Sequence, residues 1–190
     1  MAQAVLKQPL HMTVEEFLAW DDGTDTRHEL VGGEVFAMAP SSAIHTRLVA
    51  NLARDLGGRL RPPFGVNVEA GIMPSAKSDA YYQADLAVSC IPLGPSDKHV
   101  PDPKVIVEVL SPSTANYDRG TKLPDYRTIP SVQEIVLISS TAMKAELWHR
   151  ADDGWTVNDI EGMDAVLRLS SIEVELPLAA IYESIAFEAE

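Results

Sequence analysis

Val105-Ile106-Val107-Glu108-Val109-Leu110 is an apolar run with one carboxylate near its middle, and Ser111-Pro112-Ser113 follows it at once. Such a run, ended by a Ser/Pro turn, is typical of a strand that is buried on both faces. An ionised carboxylate is costly to bury unless it is paired or bound to a metal ion. Glu108 therefore predicts a polar partner inside the protein.

A second apolar segment, Tyr82 to Val88, carries Asp85, and Lys122 follows the Glu108 strand after a turn and part of a helix. Adjacent strands lie ~5 Å apart, so carboxylates on one face of a strand pair can converge on one cation. Magnesium keeps several waters, so one or two carboxylates suffice to hold it. We interpret Asp85 and Glu108 as ligands of Mg²⁺, with Mn²⁺ as a substitute. Lys122 would orient or deprotonate a water at that metal.

Each of these residues also has a simpler explanation. Asp85 could cap a strand end or pair with an arginine, and Lys122 could be a solvated helix lysine. Glu29 lies just before a two-glycine turn, where it could add a third carboxylate to the site. It could equally bridge to Arg27 or Arg47.

Three more residues are candidates for supporting roles. His45, near the apolar face of a predicted helix, is either catalytic or a satisfied, partly buried histidine. Tyr126, one helical turn after Lys122, either shares the site or packs. Ser111 either binds phosphate at a helix N-terminus or only caps that helix. Asp118 and Arg119 could pair with each other's neighbours.

Hydrophobic periodicity and turn residues predict a mixed α/β order of elements. A capping box at Thr13 opens a first helix through Trp20, and Ser41 or Ser42 opens a second helix that ends near Leu60. A two-glycine turn, Gly32-Gly33, connects the two strands of a predicted hairpin. The other predicted elements are strands at 66–72, 84–90, 104–110, 133–138 and 144–149, a helix over about 117–128, an antiparallel strand pair at about 155–160 and 164–169, and a terminal helix over 177–185.

Bulk composition limits the class of protein. The 190 residues are 46% apolar and 23% charged, as in soluble globular chains. No apolar run approaches the ~20 residues of a membrane helix, and residues 1–9 lack the pattern of a signal peptide. Cys90, the one cysteine, allows no internal disulfide. We therefore expect no membrane association and a cytoplasmic location.

The formal charge of −13 opposes general nucleic-acid binding, which needs a basic surface. The acidity is concentrated at the C-terminus, because residues 151–190 carry one basic and ten acidic side chains. The rest of the chain could still present a basic face. Its candidate residues lie along the second helix and its exit: Arg47, Arg54, Arg59 and Arg61.

Five segments occur in this order along the chain: His28 to Glu34, Pro40 to His45, Ala84-Asp85, Glu108 to Thr114 and Asp118 to Tyr126. Together they resemble a large bacterial family of restriction-endonuclease-like proteins within the PD-(D/E)XK nuclease superfamily. The resemblance covers roughly residues 12–150. One departure is that Leu110 stands at the third position of the superfamily's Glu-x-Lys, so that the lysine would move to Lys122.

The resemblance implies a restriction-endonuclease-like mixed β-sheet flanked by helices, with extra antiparallel strands. We expect a single domain over 1–190, with its core at about 12–150 and an acidic extension over 151–190. The resemblance also implies a magnesium-dependent endonuclease that acts on DNA, with Asp85 and Glu108 as metal ligands. A homodimer is expected, because cutting two strands usually takes two sites. The alternatives are a non-catalytic binding or regulatory protein and a hydrolase of small phosphate esters.

Overall fold

A six-stranded mixed sheet organises the protein. The computed structural model describes residues 11–187, so the N-terminal segment in which we expected no signal peptide lies outside the described residues. The strands are β1 (His28–Val31), β2 (Glu34–Ala37), β3 (Gly65–Ile72), β4 (Tyr82–Ser89), β5 (Val105–Leu110), β6 (Glu134–Ser139), β7 (Lys144–Ala151), β8 (Gly154–Glu161), β9 (Val166–Leu169) and β10 (Val174–Pro177). The helices are α1 (Val14–Ala19), α2 (Ala43–Arg59), α3 (Ala115–Tyr117), α4 (Leu123–Tyr126) and α5 (Leu178–Ile181).

The main sheet has the strand order β3-β4-β5-β6-β7-β8. β5 and β6 run parallel, and the other neighbours in this sheet are antiparallel. A parallel pair needs a crossover connection, which α3, a π-helical turn (Asp118–Lys122) and α4 supply here. This crossover brings the segment after Glu108 back over the sheet.

β5 is buried along its whole length, as its continuous apolar sequence predicts. Its residues alternate between two cores. Val105, Val107 and Val109 pack with the leucines of α2, whereas Ile106 and Leu110 pack with the crossover. Glu108 has the same parity as Ile106 and Leu110, so its carboxylate lies on the crossover face of the sheet.

The first two helices begin where the sequence predicts. Thr13 accepts a hydrogen bond from the Glu16 N–H at 3.2 Å, and Glu16 accepts one from the Thr13 N–H at 2.8 Å. This reciprocal pair is a capping box. Ser42 caps α2 by accepting the His45 N–H at 3.2 Å. None of the helices that the structure describes is long and apolar enough to cross a membrane.

The predicted helix over 117–128 is instead an interrupted one, from Ala115 to Tyr126. Inside it, the Leu123 N–H bonds the Asp118 carbonyl, which is the i→i+5 spacing of a π-helix. Pro124 has no N–H, and in an α-helix its ring would clash with the carbonyl of Gly120. The wider π turn accommodates this proline.

The C-terminal pairing differs from our prediction. β8 pairs with β7, and β9 pairs with β10 in a separate two-stranded sheet, so the predicted pairing of 155–160 with 164–169 is wrong. The terminal helix is shorter than the predicted 177–185, because β10 extends to Pro177 at its start and α5 ends at Ile181. Leu167 and Leu176 are buried in the same core as the α2 leucines, so hydrophobic burial against α2 determines where β9 and β10 lie.

Gly71 allows β3 to approach the Tyr81 side chain. A Cβ atom there would overlap the Tyr81 hydroxyl and lie 2.6 Å from the Lys98 carbonyl oxygen. We expect Gly71→Ala to lower the free energy of unfolding by about 1–3 kcal/mol, measured by urea denaturation. Gly58→Ala is the control, because a Cβ on that α2 glycine meets nothing within 4 Å. It should raise stability by up to about 1 kcal/mol, and equal effects at both sites would contradict this account.

Candidate active site

Glu108 is the centre of a buried polar network. Its Oε1 accepts a hydrogen bond from the Tyr126 hydroxyl at 2.6 Å and lies 3.3 Å from the Lys122 Nζ. Its Oε2 lies 3.4 Å from the Asp85 backbone nitrogen. The Tyr126 ring also packs edge-on against Tyr82. Tyr126 therefore both shares the site and packs.

Lys122 is buried, with 5% of its side chain exposed, so the alternative of a solvated helix lysine is wrong. Its Nζ lies 2.8 Å from Glu29, 3.3 Å from Glu108 and 3.8 Å from Asp118. It also donates to the Gln83 carbonyl at 3.1 Å. The π turn places both Asp118 and Lys122 on the buried side.

Glu29 reaches the same lysine from β1. Its Oε1 accepts the Gln83 N–H at 2.9 Å, and its Oε2 accepts the Tyr117 hydroxyl at 3.0 Å. The alternative partner Arg27 pairs instead with Glu69 at 2.5 Å. Glu29 therefore ties the β1–β2 hairpin to the crossover through Lys122.

Asp85 forms the more open end of the network. The β4–β5 ladder ends at the pair Leu86 and Val107, one residue before Asp85 would face Glu108. Asp85 Oδ2 accepts the Val109 N–H at 2.7 Å, and Oδ1 lies 2.8 Å from the His45 Nε2. The Asp85 side chain is 20% exposed. The alternative of an arginine partner is wrong, because the partner is His45.

Burial and neighbouring charges shift the pKa values of this network. Burial raises the pKa of Glu108, although Lys122 opposes the shift and Asp85 adds to it. Burial likewise raises the pKa of Asp118. Burial alone would lower the pKa of Lys122, but the surrounding carboxylates raise it well above its usual value. The hydrogen bond to Asp85 raises the pKa of His45.

The three carboxylates around Lys122 favour its charged form. This environment favours a role for Lys122 in orienting a water, and proton abstraction from that water stays a prediction. The charged ammonium group can also stabilise negative charge.

Six of the seven predicted site residues meet in this one network: Glu29, His45, Asp85, Glu108, Lys122 and Tyr126. Ser111 does not join them. Its hydroxyl lies 2.9 Å from the Ser113 hydroxyl and 3.0 Å from the Thr114 hydroxyl, within the turn before α3. Ser111 therefore belongs to the local turn before the crossover helix, and phosphate binding by its hydroxyl stays a prediction.

Two members of the network, Tyr117 and Asp118, were not predicted as site residues from the sequence. Asp118 contacts Lys122, and Tyr117 donates to Glu29. A signal for Asp118 was available, because residues at i and i+4 of a helix are neighbours. Arg119 points elsewhere and pairs with Glu146.

The donor set suits magnesium. Both Asp85 oxygens and the Glu108 Oε2 have one polar contact each, which leaves each a second lone pair for a metal ion. The Glu108 Oε1 already faces both Tyr126 and Lys122. Among residues 11–187 no three His, Cys, Asp or Glu side chains are arranged to hold a metal ion together. Two carboxylates are nevertheless enough for magnesium, which retains waters in its remaining positions.

The predicted basic face along α2 is largely neutralised. Arg54 pairs with Asp55 and with Glu183, and Arg59 also contacts Asp55. Arg61 lies 4.0 Å from Glu173. Three of the four arginines thus have carboxylate partners, which leaves little positive charge on this surface for a phosphate backbone.

Residues 14–180 match the sequence model of the Uma2 family, described as "Putative restriction endonuclease". The chain belongs to this family. The Uma2 match continues past residue 150, into β9, β10 and α5, so it covers more of the chain than the motifs in the sequence do.

Two uncharacterized proteins from Synechocystis are similar over most of their length. Protein slr1290 is 32% identical over 182 residues, which covers 93% of this chain and 94% of the relative. Protein sll1609 is 30% identical over 171 residues, which covers 86% and 95%.

A crystal structure described as a putative nuclease belonging to DUF820, from Anabaena variabilis, matches the fold with a TM-score of 0.73. The match covers 90% of this chain and 97% of that chain at 15% sequence identity. The expected restriction-endonuclease-like mixed sheet of this Uma2 protein is thereby confirmed.

The shifted pKa of Glu108 predicts a pH dependence of stability. The folded protein keeps this proton above the ordinary glutamate pKa of 4.5, whereas the unfolded chain has lost it. The resulting stabilisation is complete below that value and is lost as pH rises through the folded-state pKa. Asp118 and His45 act in the same direction, because their pKa values are also raised.

We expect this network to make the free energy of unfolding fall as pH rises from 4.5 to about 8, and Glu108→Gln to make this slope shallower. Urea denaturation at a series of pH values measures it. Glu161→Gln, exposed at the end of β8, should keep the wild-type slope. Equal slopes for Glu108→Gln and wild type would contradict the assignment of this proton to Glu108.

Proposed function

We propose that this protein is a magnesium-dependent endonuclease that hydrolyses phosphodiester bonds of DNA. The observation that supports this most is the meeting of Asp85 and Glu108 with the buried Lys122 where the β4–β5 ladder ends. Two carboxylates for a metal and one fixed cation for a charged transition state are the parts that phosphodiester hydrolysis requires.

In this proposal Asp85 and Glu108 hold magnesium, and manganese is an alternative. The bound ion would supply Lewis-acid chemistry at a phosphoryl oxygen and help to form a hydroxide nucleophile. Tyr126 and the Val109 N–H orient the two carboxylates through their hydrogen bonds. Such outer contacts fix the direction of metal ligands.

Lys122 would place its positive charge beside the phosphate. Glu29 holds the Nζ at 2.8 Å, and Tyr117 in turn holds Glu29, so the cation is positioned before substrate arrives. Charge held in advance stabilises a transition state without reorganisation. Glu29 is thus a positioning residue, and His45 has the same role toward Asp85.

The remaining parts of the proposal concern partners and location. We infer that the protein acts as a homodimer, because cutting both strands of a duplex usually takes two sites. We also infer a cytoplasmic location, since the single Cys90 fits a reducing compartment. Sedimentation of the purified protein measures the first of these.

The main alternative is a non-catalytic binding or regulatory protein. The observations that favour it are the formal charge of −13 and the pairing of Arg54, Arg59 and Arg61 with carboxylates. Hydrolysis of a small phosphate ester is the third candidate, because it would need no basic groove. Substrate assays separate all three.

We expect purified protein to cleave plasmid or oligonucleotide DNA when magnesium or manganese is present, and not when the metal is chelated. Asp85→Asn and Glu108→Gln should each reduce the rate by about a hundredfold or more, since each removes the negative charge of a carboxylate that would hold the metal. Lys122→Met should reduce the rate comparably by removing the fixed positive charge. Gel assays measure the rate, and calorimetry measures metal binding.

Asp153→Asn is the matched control, because this carboxylate is exposed in the turn between β7 and β8. It should cleave like wild type. Metal binding without cleavage of any substrate would favour the non-catalytic alternative. Cleavage that survives both Asp85→Asn and Glu108→Gln would overturn the assigned site.

A further inference from the structure

Strands β3 and β4 exchange their two faces at the same position along the pair. In a regular strand, every second residue lies on the same face of the sheet. Val66 in β3 and Leu86 in β4 pack in the core that contains the α2 leucines. Ala70 and Ala84 have the same parity but pack in the core that contains the crossover. In each strand the alternation therefore reverses between these residues.

Glu69 and Asp85 occupy the position of the reversal. The cross-strand pairs on either side of them place Glu69 directly opposite Asp85. Glu69 has a φ of 52°, in the left-handed region that residues other than glycine rarely adopt. A left-handed residue turns the backbone out of the regular pleat, so the conformation of Glu69 accounts for the reversal.

The reversal allows Asp85 to contact groups from both sides of the sheet. From α2, which covers one face, His45 Nε2 lies 2.8 Å from the Asp85 Oδ1. From the crossover face, Glu108 Oε2 lies 3.4 Å from the Asp85 backbone nitrogen. Asp85 also accepts the Val109 N–H at 2.7 Å, beyond the last pair of the β4–β5 ladder. A residue in a regular strand faces one side, so this set of contacts depends on the reversal.

The side chain of Glu69 does not account for its backbone conformation. It is 57% exposed, and its partner Arg27 is exposed as well. An exposed ion pair contributes little to stability, so it does not offset a costly backbone conformation. Such conformations cluster at active sites, where the surrounding structure maintains them.

We propose that the left-handed conformation of Glu69 positions Asp85 for metal binding. Glu69 is thus a positioning residue that acts through its backbone and not through its carboxylate. This rests on the proposed metal-dependent function and adds a residue to its site. With an extended backbone at residue 69, β3 and β4 would keep their alternation, and Asp85 would face one side of the sheet only.

The test compares two substitutions that remove the same carboxylate. Asparagine adopts the left-handed region readily, whereas the β-branched side chain of valine disfavours it. Calorimetry with magnesium should place Glu69→Asn within about twofold of the wild-type affinity and Glu69→Val at least about tenfold weaker. Equal magnesium affinities of the two variants would overturn the inference.

Glu173 provides the matched control, because it is also exposed and left-handed, with a φ of 56°. It lies between a short 3₁₀ turn and β10, where it pairs with Arg61, outside the Glu108 network. Glu173→Val should lower the urea midpoint as Glu69→Val does, because both strain the backbone. It should bind magnesium like wild type, and weakening equal to that of Glu69→Val would show a general effect of strain and reject the inference.

Hydrogen exchange of the Val109 N–H tests the inference without metal. Because this N–H donates to Asp85, it should exchange about tenfold faster in Glu69→Val than in Glu173→Val, each measured relative to the Val136 N–H. If the wild type binds no magnesium, the proposed metal-dependent function fails, and this exchange rate decides whether Glu69 positions Asp85. Equal relative rates in the two variants would show that it does not.

Discussion

The burial of Lys122 among carboxylates is the interaction on which the rest of the site depends. Removing one partner of a buried ion pair typically costs about 3–5 kcal/mol, because it leaves the other charge uncompensated. Lys122 has Glu29 on β1, Glu108 on β5 and Asp118 in the crossover within 4.0 Å. One ammonium group therefore joins three parts of the fold, and the hairpin cannot shift without exposing or unpairing a buried charge.

The parallel pairing of β5 and β6 makes this arrangement possible. Because the chain must cross over to enter β6, it passes above the face of β5 that carries Glu108. The π turn then determines which side chains of the crossover face the main sheet. A π turn contains one residue more than an α turn, so it shifts the side chains that follow it around the helix. Pro124 and the position of Lys122 are therefore linked through the backbone.

The sequence predicted the parts of this site that follow from local rules. A carboxylate within an apolar strand requires a partner, which identified Asp85 and Glu108, and the order of motifs identified Lys122. The partner of Asp85 was beyond such rules, because His45 lies 40 positions away and reaches it only through the packing of α2. The pairing of β9 with β10 was likewise determined by burial against α2, since local alternation does not distinguish one antiparallel partner from another.

The charges of the network also explain why it suits a divalent cation. Glu29, Glu108 and Asp118 share Lys122 as their cationic partner. Among the described residues, the basic partner of Asp85 is His45. If all four carboxylates are ionised, they outnumber the two cations even when His45 is protonated. The protein can reduce this excess by retaining protons, which is the direction of the pKa shifts at Glu108 and Asp118. A bound divalent cation would remove the excess without those protons, so metal binding and proton release at this site should be linked.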